Sequence, residues 1–251
     1  MRQAVVWIAG GESYTTDAET SCASVKQHNP GLMCILATDY HGKVSSIYDR
    51  VIRLPPRRYP DIWFLDSVYY TNIVFDTLYG EYDSFLILDT DCFCSAPLDD
   101  MLQLAERFDL CASHGVTRQT TNTFMPIPDA FAEFEVGVML VSCNEHVRSL
   151  FRDWLELYEN HVSLYGNNDQ GPFREAIWIN KYINIYILPE EYHCRWGFGA
   201  CVVSTVRILH SRSCGENPHT NAQAAIEINS VGGRRLFNSE GLQGKPVAGG
   251  M

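Results

Sequence analysis

Residues 85–88 read Phe-Leu-Ile-Leu and run directly into Asp89-Thr90-Asp91. Four apolar residues in succession leave no polar face, which suits a strand covered on both sides. Covering both faces of a sheet requires helices above and below it, so this segment points to an α/β fold with a mostly parallel sheet. The abrupt switch to two carboxylates marks the strand's end. In open α/β sheets such ends face the crevice where ligands bind.

The flanking pattern agrees. Apolar runs at Ala4–Ile8 and Leu32–Ala37 predict strands, and Val44–Leu54 is a third candidate, stopped by Pro55-Pro56. Between the first two, Thr16 or Asp17 could cap a helix that Asn29-Pro30-Gly31 ends. Further helices are expected over Asp66–Leu78 and Leu98–Arg107. The clearest is Glu145–Tyr158, where Val147, Leu150, Phe151, Trp154, Leu155 and Tyr158 form one apolar stripe. Leu110–Ser113, Val138–Ser142, Ile183–Leu188 and Val202–Leu209 complete the strand candidates. No repeat or convincing linker divides the 251 residues, so we expect one domain over 1–230 and a flexible tail or closing flap over 231–251.

Charge and composition exclude some functions. With 30 acidic against 19 basic residues the formal charge is −11, the wrong sign for tracking a nucleic-acid backbone. An anionic small ligand stays compatible, because a metal ion can supply positive charge locally. No apolar run is long enough to cross a bilayer, and the first ten residues are too short for a secretory leader. The 9 cysteines lack zinc-site spacing and read as reduced core residues, which together suggest a cytoplasmic protein.

Two carboxylates one residue apart at a strand end can address a single hard cation, magnesium or manganese, whose remaining positions suit water and phosphate oxygens. Taken alone, the triplet equally describes an ordinary acidic turn. The ten residues Tyr82-Asp83-Ser84-Phe85-Leu86-Ile87-Leu88-Asp89-Thr90-Asp91, however, resemble the hallmark segment of GT-A glycosyltransferases, especially the glycogenin-like and bacterial galactosyltransferase-like family 8. Other stretches are similar in the same order. They are Val5–Gly11, Ala18–Thr38 with Asp39, Phe134-Glu135-Val136-Gly137-Val138-Met139-Leu140, Asn168-Asp169-Gln170, and a late His210. The likeness spans about residues 4 to 212.

That resemblance implies a metal-dependent enzyme moving a sugar from a nucleotide-diphosphate donor, UDP-linked, to a saccharide or other hydroxyl acceptor with retained configuration. It implies that Asp89, Asp91 and His210 hold Mn2+ or Mg2+. Ile8, Ala9, Gly10, Gly11, Thr38, Asp39 and Thr90 would line the nucleotide side, and Arg212 could face the phosphates. Gln170, Asp169 and Glu135 would line the sugar and acceptor side, although Asp169 could instead cap the helix containing Phe173–Trp178. Three departures stand out. Tyr69-Tyr70 is followed by Thr71-Asn72 without the family's arginine, Glu135 takes the place of an asparagine, and the stretch just after His210 has Arg212, Gly215 and Asn217-Pro218-His219 without the lysine that the family places there.

Two rivals remain at this level. A sugar-phosphate nucleotidyltransferase would carry basic residues after its early glycines, yet Gly10-Gly11 is followed by Glu12-Ser13-Tyr14 and no cation before Lys26. A non-catalytic nucleotide-sugar or carbohydrate-binding protein would need aromatic platforms, for which Trp63, Tyr192 and Trp196 are candidates.

Overall fold

A computed structural model describes residues 1–115, 123–210, 218–238 and 241–243. The chain runs through β1 (Gln3–Ala9), α1 (Gly11–His28), β2 (Met33–Thr38), β3 (Arg50–Arg53), α2 (Trp63–Leu78), β4 (Ser84–Leu88), β5 (Cys92–Cys94) and a short α3 (Asp99–Leu102). It continues with β6 (Leu110–His114), β7 (Phe134–Ser142), α4 (Glu145–Asn160), α5 (Val162–Tyr165), α6 (Gln170–Ile179), β8 (Ile185–Ile187), β9 (Ala200–Val202), β10 (Ile208–His210), α7 (Pro218–Asn229), β11 (Arg235–Asn238) and β12 (Gly241–Gln243).

Seven strands form the central sheet in the order β3-β2-β1-β4-β7-β6-β8. Every neighbouring pair is parallel except the two involving β7, so β7 alone runs backwards. All five residues of β4 are buried, as its unbroken apolar run required. The alternation hidden in that run appears in three dimensions. Ala4, Val6, Phe85 and Ile87 join α2, α4 and α6 in one core, while Val5, Trp7, Leu86 and Leu88 join α1 and α3 in the other. Helices thus cover both faces, and the α/β architecture is as expected.

Several boundaries differ from the sequence reading. Helix α1 begins at Gly11, before Thr16 and Asp17, because the carboxylate of Asp39 accepts the Gly11 N–H at 2.6 Å and serves as a remote cap. The third strand shrinks to four residues, and 202–209 splits into β9 and β10. The 98–107 stretch is one α-turn followed by a 3-10 turn. Asn144 caps α4 by accepting the Val147 N–H at 3.0 Å.

A smaller core lies at one end, where Cys194, Trp196, Val202, Leu209, Ala225, Ile228 and Phe237 pack together. Strand β11 pairs with both β9 and β12, so part of 231–251 belongs to this sheet. Six of the eight cysteines among the described residues are buried, and all eight are free thiols. Among the described residues no helix is long and apolar enough to cross a membrane.

Candidate functional site

A cleft of about 490 Å³ opens where β1 and β4 end. Strand β4 delivers Asp89, Thr90 and Asp91 into it. The chain then turns tightly, with the Cys92 N–H donating to the Asp89 carbonyl at 3.1 Å, and enters β5. Strand β5 pairs antiparallel with β10 so that Cys92 stands opposite His210. This register brings a residue more than a hundred positions later against the aspartates. His210 Nε2 lies 3.5 Å from Asp89 Oδ2 and 3.3 Å from Asp91 Oδ1. One ligand atom from each of the three falls within 4.8 Å of the others, close enough for one cation.

The donor set fits a divalent ion. Two carboxylates and one imidazole are hard and borderline ligands, a combination that a divalent cation accepts. The backbone also makes room for them. A Cβ at Gly137 would meet His210 Cε1 at 2.4 Å and Asp89 Oδ2 at 2.8 Å, so only glycine lets the cluster close. Because β7 runs opposite to β4, its first residues lie beside the end of β4, and the Asp89 N–H donates to the Gly137 carbonyl at 2.8 Å. Glu135 reaches the cleft by the same reversal.

Electrostatics sharpen the need for a cation. Asp89, Asp91, Glu135 and Asp169 line the cleft, and Arg195 is the one lysine or arginine among its described lining residues. Burial, reinforced by the charge of Asp89, pushes the Asp169 carboxyl up to about 8. For His210, burial opposes the protonated form, yet the Asp91 and Asp89 carboxylates outweigh it and the pKa is raised. A cation in the cleft would offset the clustered negative charge and compete with the proton on His210.

The residues expected on the sugar side, Gln170, Asp169 and Glu135, all line the cleft. Gln170 Nε2 donates to Glu135 Oε2 at 2.8 Å, and Arg195 Nη1 donates to Glu135 Oε1 at 2.6 Å. Both Glu135 oxygens are therefore engaged, and Gln170 Oε1 is left buried without a partner. Asp169 sits at the helix N-cap position without capping; Asn168 Oδ1 takes the Gly171 N–H instead, at 2.9 Å.

The residues expected on the nucleotide side are only partly at the cleft. Ile8 and Thr90 line the cleft, whereas Ala9 and Thr38 are fully buried beneath it. Gly10 lies under the Trp63 ring, where a Cβ would be 2.1 Å from a ring carbon. Gly11 and Asp39 bond to each other, and the Thr38 hydroxyl lies 3.0 Å from that of Thr15. Arg212 lies outside the described residues.

This architecture is found in solved glycosyltransferases. The galactosyltransferase LgtC, in complex with donor and acceptor sugar analogs, matches with a TM-score of 0.63 over 88% of this chain and 95% of that one, at 16% identity. The fold is that of the GT-A glycosyltransferases. Mouse xyloside xylosyltransferase 1 in its apo form matches at TM-score 0.55 and 13% identity, covering 83% of this chain and 97% of that one. GlyE of Streptococcus pneumoniae matches at 0.54 and 17% identity, covering 78% and 48% respectively. No protein-family model matches the sequence, and no curated protein matches it.

Within this GT-A fold, Arg195, Tyr14 and Phe198 line the cleft although nothing local in the sequence marked them. Tyr14 stacks on Trp63 with centroids 5.4 Å apart, and Arg195 Cζ lies 4.3 Å from the Phe198 ring centre. The one available signal was negative: the arginine and lysine of the resembled family are missing at their usual positions, so a corresponding contact is absent or supplied elsewhere. Of the aromatic platforms considered, Trp63 lines the cleft, Trp196 is buried in the small core, and the Tyr192 hydroxyl donates to Asp100.

Proposed function

We propose that this protein is a glycosyltransferase that transfers a sugar from a UDP-linked donor to a saccharide or other hydroxyl acceptor with retention of configuration. The observation that carries this reading is the convergence of Asp89, Asp91 and His210 at the end of the central strand of a GT-A fold. These three residues would hold Mn2+ or Mg2+. When bound, the ion supplies Lewis acidity that stabilises the departing nucleoside diphosphate.

The protein's own groups take the remaining tasks. Arg195 adds positive charge beside the transferring sugar, partly replacing the basic residues that the family pattern places elsewhere. Glu135 fixes the amide of Gln170 by accepting its N–H, which leaves the buried Gln170 carbonyl oxygen as the amide's unused acceptor beside the cleft. That oxygen can accept from a donor-sugar hydroxyl or face the reacting carbon. An active site mutant of LgtC in which glutamine is replaced by glutamate, matching at TM-score 0.62 and 15% identity, supports giving a glutamine this place. Residues 1–230 would form the catalytic domain and 231–251 a tail or closing flap, with its strand β11 anchored on β9.

Incubation with UDP-glucose or UDP-galactose and Mn2+ should release UDP. The Asp91→Ala variant should lose at least a hundredfold in rate while keeping its far-UV circular dichroism. A protein that binds UDP-sugars without turning them over would instead be a nucleotide-sugar-binding protein. No binding across a panel of nucleotide sugars would defeat the proposal.

A further inference from the structure

His193 has no part in the transfer just described, yet it touches the site from behind. It is 1% exposed, and Ser113 and His210 are also buried. His193 Nε2 lies 2.6 Å from His210 Nδ1, and His193 Nδ1 lies 2.6 Å from Ser113 Oγ. The two imidazoles are within 12° of coplanar with centroids 4.9 Å apart. With nitrogens so close, the rings meet edge to edge and share a hydrogen bond in plane. Ser113 stands at an irregularity in the β6–β7 ladder, between Ala112 and His114. Bulges of this kind re-aim side chains. A continuous line of polar atoms therefore runs from the central sheet to the acidic cluster.

Proton positions along this line are interdependent. His210 turns Nε2 toward both aspartates. An imidazole that gives its Nε2 lone pair to a cation carries its proton on Nδ1. That N–H then donates to His193 Nε2. For Nε2 of His193 to accept, His193 must carry its own proton on Nδ1, where it donates to Ser113 Oγ. One proton arrangement satisfies all these contacts and leaves His210 Nε2 open. The opposite arrangement puts an N–H on His210 Nε2, in the cation's path.

We propose that His193, held by Ser113, is a positioning residue that fixes the tautomer and ring orientation in which His210 binds a divalent metal. A ligating histidine usually donates its second N–H to a carboxylate, a carbonyl or water. Here a second imidazole takes that place and hands the constraint on to a hydroxyl. The inference rests on the reading of Asp89, Asp91 and His210 as a metal site.

The test is Mn2+ binding to the whole protein, followed by electron paramagnetic resonance and by calorimetry. The variants are His193→Leu, His193→Gln and Ser113→Ala, and 15N NMR of the Mg2+-loaded wild type reports the tautomers. Losing such an orienting partner typically costs about 10- to 100-fold in metal affinity. His193→Leu should show that loss, and His193→Gln should recover most of it by presenting an amide acceptor. Ser113→Ala should weaken binding several-fold. The Mg2+-loaded wild type should show a single form with the His210 proton on Nδ1. A folded His193→Leu protein binding Mn2+ within twofold of wild type overturns the role. If that variant does not fold, Ser113→Ala with unchanged affinity, or a proton on His210 Nε2 in the loaded wild type, overturns it equally. Failure of the wild type to bind Mn2+ at all would instead remove the metal site and the inference with it.

Discussion

A methyl group on Gly137 would sit 2.4 Å from His210 Cε1 and 2.8 Å from Asp89 Oδ2, so one or both must shift, and the buried His210 is the less free to do so. Gly137→Ala should therefore lower Mn2+ affinity at least tenfold, measured by calorimetry, while the protein still folds. Retention of wild-type affinity would mean that the two side chains are not held as closely as the cleft implies. Asp169 gives a pH signature at the same scale. Its folded pKa, about 8 through burial and the nearby Asp89, lies above the ordinary carboxylate value of 3.8. The folded state thus holds a proton that the unfolded chain releases, and stability on this account falls as pH rises from about 4 to about 8. Compared with metal-free wild type, Asp169→Asn should gain progressively in Tm across that window. Parallel Tm curves for the two proteins would contradict the assignment.

At the scale of elements, Asn221 ties α7 to the loop that bears Asp91. Asn221 Nδ2 donates to the Asp91 carbonyl at 2.9 Å, and its Oδ1 accepts the Trp196 N–H at 2.9 Å. Asn221→Ala removes both bonds, and leaving the buried Trp196 N–H without this acceptor costs about 1–3 kcal/mol. It should lower both Tm and Mn2+ affinity, since the loop bearing Asp91 loses its tether. Asn144→Ala removes the α4 cap on the far side of the sheet and should cost about 1 kcal/mol of stability with Mn2+ affinity unchanged. Equal effects of the two on metal binding would show that α7 has no special hold on the loop. Short elements such as β5 and β10 were the least legible from sequence. Three residues carry too little periodicity to stand out, and their pairing depends on a partner more than a hundred positions away.

Across the whole molecule, ligand binding should be visible as linked stability. A ligand at a hundred times its Kd adds about 2.7 kcal/mol. For a chain of this size each kcal/mol raises Tm by about 2–4 °C. UDP with Mn2+ should therefore raise Tm by several degrees, and UDP with EDTA should raise it little. Equal shifts in the two conditions would argue that the nucleotide binds without the metal cluster.

The apolar run of β4 and the switch to Asp89-Thr90-Asp91 were legible without coordinates. Burial on both faces follows from composition over four residues, and a strand end is a local event. The helices of the main core and the α/β class could be read in the same way, because periodicity is local. What the tertiary structure alone decided was convergence. The reversed direction of β7 brings Glu135 and Gly137 to the aspartates, the β5–β10 register delivers His210, and the bulge near Ser113 lines up His193 behind it. Arg195 enters the cleft for the same reason. Each of these depends on which strands become neighbours and in what register, and that is set by packing of the whole sheet rather than by any one segment.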